Sequence, residues 1–153
     1  MMVRDTSTGG NFESIVEACL RKSAEKDQFV LRKQSTVGEK PGGQSMHRVD
    51  WELISITKPD LRGLLSCKYQ GTSGTAEEKI VFEVIKLLHT MSVDTRYKHS
   101  WIALGGDGWS TNMMEFIKKD LQIWVPAMKE KITIFTNPND LIAAKITLSD
   151  FAD

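Results

Sequence analysis

The sequence predicts an α/β fold in which a mixed β-sheet is covered by helices on both faces. Three observations point there. Two segments repeat apolar residues at helical spacing, Phe12, Ile15, Val16, Cys19 and Leu20 in the first and Ile80, Val84, Leu87 and Leu88 in the second. Between them lie strand-like runs joined by connections too short for a crossover, so neighbouring strands must run antiparallel. Beyond the second helix, "HSWIALGG" and "KITIFTN" are nearly continuous apolar runs, as expected of strands buried on both faces. The predicted order is α-β-β-β-α-β-α-β.

Each element has its own local reason. "NFESIVEACLRKSAEKD" is a helix with Asn11 available as its N-cap. "QFVLRKQ" opens a strand, and "STVGEKPGGQSM", with Gly38, Pro41, Gly42 and Gly43, reads as a loop or hairpin tip. "HRVDWELISIT" is the next strand, "KPD" its turn, and "LRGLLSCKYQ" the returning strand. Thr72, Ser73 or Thr75 can cap "AEEKIVFEVIKLLHTM", whose first-turn acids favour the helix dipole. "GGDG" ends the following strand, "TNMMEFIKKDLQIWVPAM" is a helix that Pro126 helps to end, and "KITIFTN" is the last strand.

A chain of 153 residues supports one compact core, so residues 1–153 are expected to form a single domain. Hydrophobic content of 41% and charged content of 26% suit a globular protein, and no apolar run is long enough to span a bilayer. The start "MMVRDTSTGGNFES" lacks the apolar region of a secretory signal, which predicts an intracellular, cytoplasmic protein. Cys19 and Cys67 belong to no metal-binding pattern and are expected as reduced thiols. Net charge is zero, but residues 21–48 carry +4 and residues 137–153 carry −2, an asymmetry that permits a polyanion-facing edge.

The chemistry is concentrated on two strands. Alternation places Asp50 and Glu52 on one face of the second strand, opposite Val49, Trp51 and Leu53. In "LLSCKYQ", Ser66, Lys68 and Gln70 share a face, with Leu65, Cys67 and Tyr69 on the other. If the strands pair, the polar faces converge. Carboxylates around a lysine suit metal-dependent phosphodiester hydrolysis, with Mg²⁺ on hard oxygen ligands and the ammonium beside the attacking water. Gln70 is placed to orient a water or a phosphate.

Asp50, the β-turn-β connection and "SCKYQ" with Lys68 resemble the PD-(D/E)xK, or restriction-endonuclease-like, nuclease superfamily. The α-β-β-β-α-β order extends the resemblance over roughly residues 11–136. The resemblance implies a Mg²⁺-dependent endonuclease acting on DNA, of restriction, resolvase or repair type, with Mn²⁺ as a substitute ion and Asp50 on the metal. The literal Pro59-Asp60 pair is ordinary turn chemistry at the far end of the hairpin. Ser66 stands where the family usually has Asp or Glu. In some relatives with a Ser-x-Lys triplet the acid comes from the following helix, which here offers Glu83, favoured, and Glu77 or Glu78. Glu52 on the strand and Glu13 on the first helix are rival metal ligands.

The DNA-contacting edge is expected in "RKQSTVGEKPGGQSMHR". Lys33, Lys40 and Arg48 would neutralise phosphates, and the "PGGQ" tip ending in Gln44 would reach into a groove. Cutting both strands would require a homodimer, with the second helix or Trp109, Met113, Met114 and Phe116 as candidate interface, although core packing is the simpler role for these residues. His47, His89 and His99 are scattered without metal-ligand spacing. "GGDGWS" lacks the spacing of a phosphate loop, and the tryptophans read as core or interface residues. The alternative class is a catalytically inactive nuclease-like module, for DNA binding or subunit assembly, that has lost the acid at position 66.

Overall fold

The computed structural model describes residues 9–72, 76–144 and 146–152. Helix α1 (Gly9–Asp27) precedes strands β1 (Phe29–Glu39), β2 (Met46–Ser55) and β3 (Arg62–Tyr69). Helix α2 (Ala76–Val93) leads to β4 (Tyr97–Gly105), and α3 (Thr111–Glu115) continues through a π-helical stretch, Phe116–Asp120, into α4 (Leu121–Trp124). Helix α5 (Met128–Lys131), β5 (Ile132–Phe135), α6 (Pro138–Ala143) and a 3₁₀ turn (Ser149–Phe151) complete the order.

The five strands form one sheet in the order β1-β2-β3-β4-β5. The first three are antiparallel and β3, β4 and β5 are parallel, so the sheet is mixed. Alternation divides the core into two layers. Phe12, Val16 and Leu20 of α1 pack with Trp51, Leu53, Leu65, Trp101 and Ala103, whereas Ile80, Val84 and Leu87 of α2 pack with Leu64, Ile102 and Leu104. Leu64/Leu65 and Ile102/Ala103 therefore face opposite helices, which is why these strands are apolar at consecutive positions. No helix among the described residues is long and apolar enough to cross a membrane, and Cys19 and Cys67 are free thiols.

The structure departs from expectation in several places. Strand β1 runs on through "STVGE", because Ser35, Thr36 and Glu39 pair with Val49, Arg48 and Met46; the tip is confined to residues 40–45. A register shift between Thr36 and Glu39 accommodates Gly38, so a glycine that signalled a loop sits inside a strand. Asn11 lies within α1 instead of capping it, and the caps proposed at Ser73 and Thr75 fall outside the described residues. The single helix expected after β4 is interrupted by its π-helical stretch. Helix α6 was not anticipated: six residues are too few to display helical periodicity, although Asn137 caps it through Asp140 N–H and Pro138 occupies its first turn.

One irregularity matters for the site. Gln34 has φ of 53°, a left-handed conformation that breaks strand alternation opposite Asp50. On one side of this kink Lys33 is paired with Trp51, which faces α1; on the other Ser35 is paired with Val49, which packs in the α2 layer. Val49 is thus not on the face of Trp51 and Leu53, contrary to simple alternation. The distal half of the β1–β2 hairpin folds toward α2.

The C-terminal end is tied back by Asp27, whose carboxylate accepts from Leu148 N–H at 2.6 Å and from the Ser149 hydroxyl at 2.6 Å. Phe151 stacks on the buried His99 with ring centroids 4.1 Å apart. Burial lowers the His99 pKa from 6.5 to about 4. The unfolded chain therefore binds a proton that the folded chain refuses between those values, and stability falls as pH drops from about 6.5 toward 4. Melting temperatures measured across that window are expected to show this slope in the wild type and a flatter one in His99→Gln. Equal slopes would remove His99 as its source.

Candidate active site

Strand β3 arranges the centre of the site. Leu65, Cys67 and Tyr69 turn toward the α1 layer. Ser66 and Lys68 turn toward α2, as strand alternation requires, and there they meet Glu83. The Ser66 hydroxyl donates to Glu83 Oε2 at 2.6 Å, and Lys68 Nζ lies 3.4 Å from Oε1. Lys86, one turn further along α2, stands 3.0 Å from the same Oε1. The carboxylate of the second helix therefore rests where a longer acidic side chain at position 66 would have extended.

Glu83 is only 2% exposed, and burial by itself would raise its pKa. His47, Lys68, Ser66 and Lys86 outweigh that effect and hold the carboxyl well below the usual range, so it is anionic at neutral pH. His47 is the residue that spacing failed to identify. It is the second residue of β2, is fully buried, and places Nε2 3.4 Å from Glu83 Oε2 and Nδ1 2.8 Å from Thr90 Oγ1. The available clue was a histidine four positions after Gly43, alternating with Val49 and Trp51 in a strand that is largely buried; nothing local indicated its partner.

Asp50 occupies the seam where β2 and β3 part. Their pairing extends from Ile54↔Arg62 to Trp51↔Leu65 and stops there. One residue beyond, Asp50 Oδ2 accepts the Cys67 N–H at 2.7 Å, while Oδ1 is 3.3 Å from Gln34 Nε2. The charge of Asp50 is felt at Glu13 of α1: burial first, and then Asp50, raise the Glu13 pKa against the opposing effect of Lys33. The Cys67 thiol is pushed far up by burial, then by Asp50 and Glu13, with Lys68 opposing. The charges of Asp50, Glu13 and Lys68 are thus all felt at Cys67, whose N–H Asp50 accepts, and Glu83 contacts Ser66 and Lys68 on either side of it.

Other candidates are placed elsewhere. Glu52 is buried opposite Leu64, four residues before Lys68 on β3, a rise of roughly 13 Å along a strand. It accepts from Tyr97 at 2.5 Å, Ser35 at 2.7 Å and Arg62 at 3.2 Å, a set that closes the opposite end of the hairpin. Glu77 pins the loop after β4 by accepting from the Ser110 N–H and, at 3.3 Å, from its hydroxyl; Glu78 is exposed. Gln70 lies just past β3, 5% exposed, and donates through Nε2 to the Gly108 carbonyl at 2.8 Å, so its amide holds the "GGDGWS" loop. Lys33 lies over the Trp51 ring and 3.4 Å from Glu17, on the α1 face and away from the hairpin tip. Lys40, Gln44 and Arg48 remain together on the hairpin, the last two exposed. Trp109, Met113, Met114 and Phe116 pack against the α2-layer core.

Among the described residues no three His, Cys, Asp or Glu side chains converge as a metal cage. Mg²⁺ does not need one: it commonly uses one or two carboxylates, keeps several waters, and takes substrate phosphate oxygens as further ligands. Asp50 and the anionic Glu83, flanking consecutive residues of one strand, supply hard oxygen donors of the required kind, with a lysine beside them. The donor chemistry fits the ion.

No curated protein and no solved structure matches the chain. A family model described as a PD-(D/E)XK nuclease superfamily domain matches residues 6–143. That match runs from α1 through all five strands to α6, and includes the Asp50 seam, the Ser66–Lys68 pair and the helix that carries Glu83. The chain belongs to the PD-(D/E)XK nuclease superfamily.

Proposed function

We propose that this protein is a Mg²⁺-dependent endonuclease that hydrolyses DNA phosphodiester bonds in the cytoplasm, in restriction, junction resolution or repair, with Mn²⁺ able to replace Mg²⁺. The observation that carries this reading is the Glu83 carboxylate seated on Ser66 and Lys68, which returns an acid to the place left by the serine. Asp50 and Glu83 would hold the ion, and Glu13 would serve as an auxiliary acid. When bound, the ion neutralises phosphate charge and acidifies a water. Lys68 positions that water and balances the charge that develops on the phosphate. Lys40 and Arg48 contact the DNA backbone, Gln44 reaches from the hairpin tip into a groove, and two copies of the chain supply the two sites that a double-strand break requires.

Supercoiled plasmid incubated with the protein and Mg²⁺ or Mn²⁺ tests this directly. Nicked and linear products are expected, suppressed by EDTA, and Asp50→Ala is expected to lower the rate at least about 100-fold. A second reading has its own support: Glu83 already has two ammonium partners, which balance its charge without a metal. DNA binding without cleavage under either ion would establish that reading, an inactive nuclease-like module, and overturn the enzyme.

A further inference from the structure

His47 loses its hydration on both ring nitrogens by complete burial, and each nitrogen has a side-chain partner. The ionised Glu83 carboxylate only accepts hydrogen bonds, so Nε2 must carry a hydrogen. In the neutral ring Nδ1 is then the acceptor, and the Thr90 hydroxyl donates to it across 2.8 Å. Donation therefore runs in one direction, from Thr90 through His47 to Glu83. Thr90 and Glu83 lie two turns apart on α2, and the imidazole from β2 bridges them.

This bridge divides the work of the carboxylate. Oε2 is tethered from β2 by His47 and from β3 by Ser66 at 2.6 Å, while Oε1 lies beside Lys68 and Lys86. A glutamate on a helix has three side-chain torsions, and tethering one oxygen from two strands removes most of that freedom. We propose that His47 is a positioning residue: with Thr90 it fixes the plane of the Glu83 carboxylate so that an oxygen is presented to a divalent ion beside Lys68. This role rests on the nuclease reading given above.

The test is Mn²⁺ affinity, followed by the electron paramagnetic resonance signal of free Mn²⁺ and compared with cleavage kinetics. His47→Leu is expected to weaken Mn²⁺ binding about 10–100-fold, the usual effect of removing a group that orients a metal ligand. The KM for DNA should stay unchanged. His47→Gln, whose amide can donate at a similar reach, is expected to recover affinity close to the wild-type value, which a purely structural role would not require. Thr90→Val, nearly the same volume as threonine, should shift affinity in the same direction by less, and it carries the test if His47→Leu does not fold. Wild-type Mn²⁺ affinity in folded His47→Leu or Thr90→Val overturns the positioning role while leaving the nuclease reading intact. A wild type that neither binds Mn²⁺ nor cuts DNA overturns both.

Discussion

Glu83→Gln is expected to reduce metal-dependent cleavage by about 10³–10⁴-fold and to destabilise the fold. The activity loss follows from geometry: the substitution keeps the shape but removes the charge that attracts the ion and sets the position of Lys68, 3.4 Å away. Breaking a buried ion pair costs roughly 3–5 kcal/mol when both partners are fully desolvated. Lys68 and Lys86 retain 26% and 17% side-chain exposure, so water screens part of this cost and about 2 kcal/mol is the better expectation. For a chain of this size that corresponds to a drop of roughly 4–8 °C in Tm.

The pH dependence of that loss has a definite sign. The Glu83 pKa in the folded protein is lowered from 4.5, so its stabilising contribution is fully present above that value and disappears as pH falls through the folded pKa. Wild type and Glu83→Gln should therefore differ most in Tm at neutral pH and converge in acid. Returning the acid to the strand with Ser66→Glu in the Glu83→Gln background is expected to restore part of the cleavage. Ser66→Glu alone should not help, because it forces a second carboxylate against Glu83, with the serine hydroxyl already at 2.6 Å. Full activity in Glu83→Gln would remove this residue from the site.

Gly106→Ala is expected to cost about 3 kcal/mol and roughly 6–12 °C in Tm. Gly106 has φ of +89°, and a Cβ there would stand 2.3 Å from the Gln70 carbonyl oxygen. The obstacle is backbone, held by Gln70 N–H to Gly105 O at 3.0 Å and Gly108 N–H to Gln70 O at 2.7 Å, so it cannot rotate away. The consequence reaches the chemistry, since Gln70 is two residues from Lys68 and the loop anchors the end of β3. Thermal unfolding and plasmid cleavage on the same sample check both effects. An unchanged Tm would show that the loop is not locked to β3 as described.

This anchoring gives Gln70 a structural part beside the one read from sequence. Its polarity at a strand end was compatible with orienting a water, and in the fold its Nε2 donates to the Gly108 carbonyl. "GGDGWS" was read as a turn, and it is one, built around the end of β3 by glycines whose missing side chains leave room for the backbone. Lys33 shows the opposite limit. It belongs to a basic stretch in sequence, yet the kink at Gln34 leaves it over Trp51 and beside Glu17 while Lys40 and Arg48 continue toward the tip.

The sequence alone determined the α-β-β-β-α-β order of the core, the helices on both faces of the sheet, and the common face of Ser66 and Lys68, because periods of 2 and 3.6 residues record which side of an element is buried. It also singled out Glu83 as the favoured replacement for the missing acid, but only as one carboxylate among several. Only the tertiary structure shows which of them meets Ser66 and Lys68. The contacts that seat Glu83 join residues 17 and 36 positions apart, and His47 reaches Thr90 across 43. Such contacts depend on how α2 docks against the sheet and on the left-handed Gln34 in β1, neither of which leaves a periodic trace in the chain.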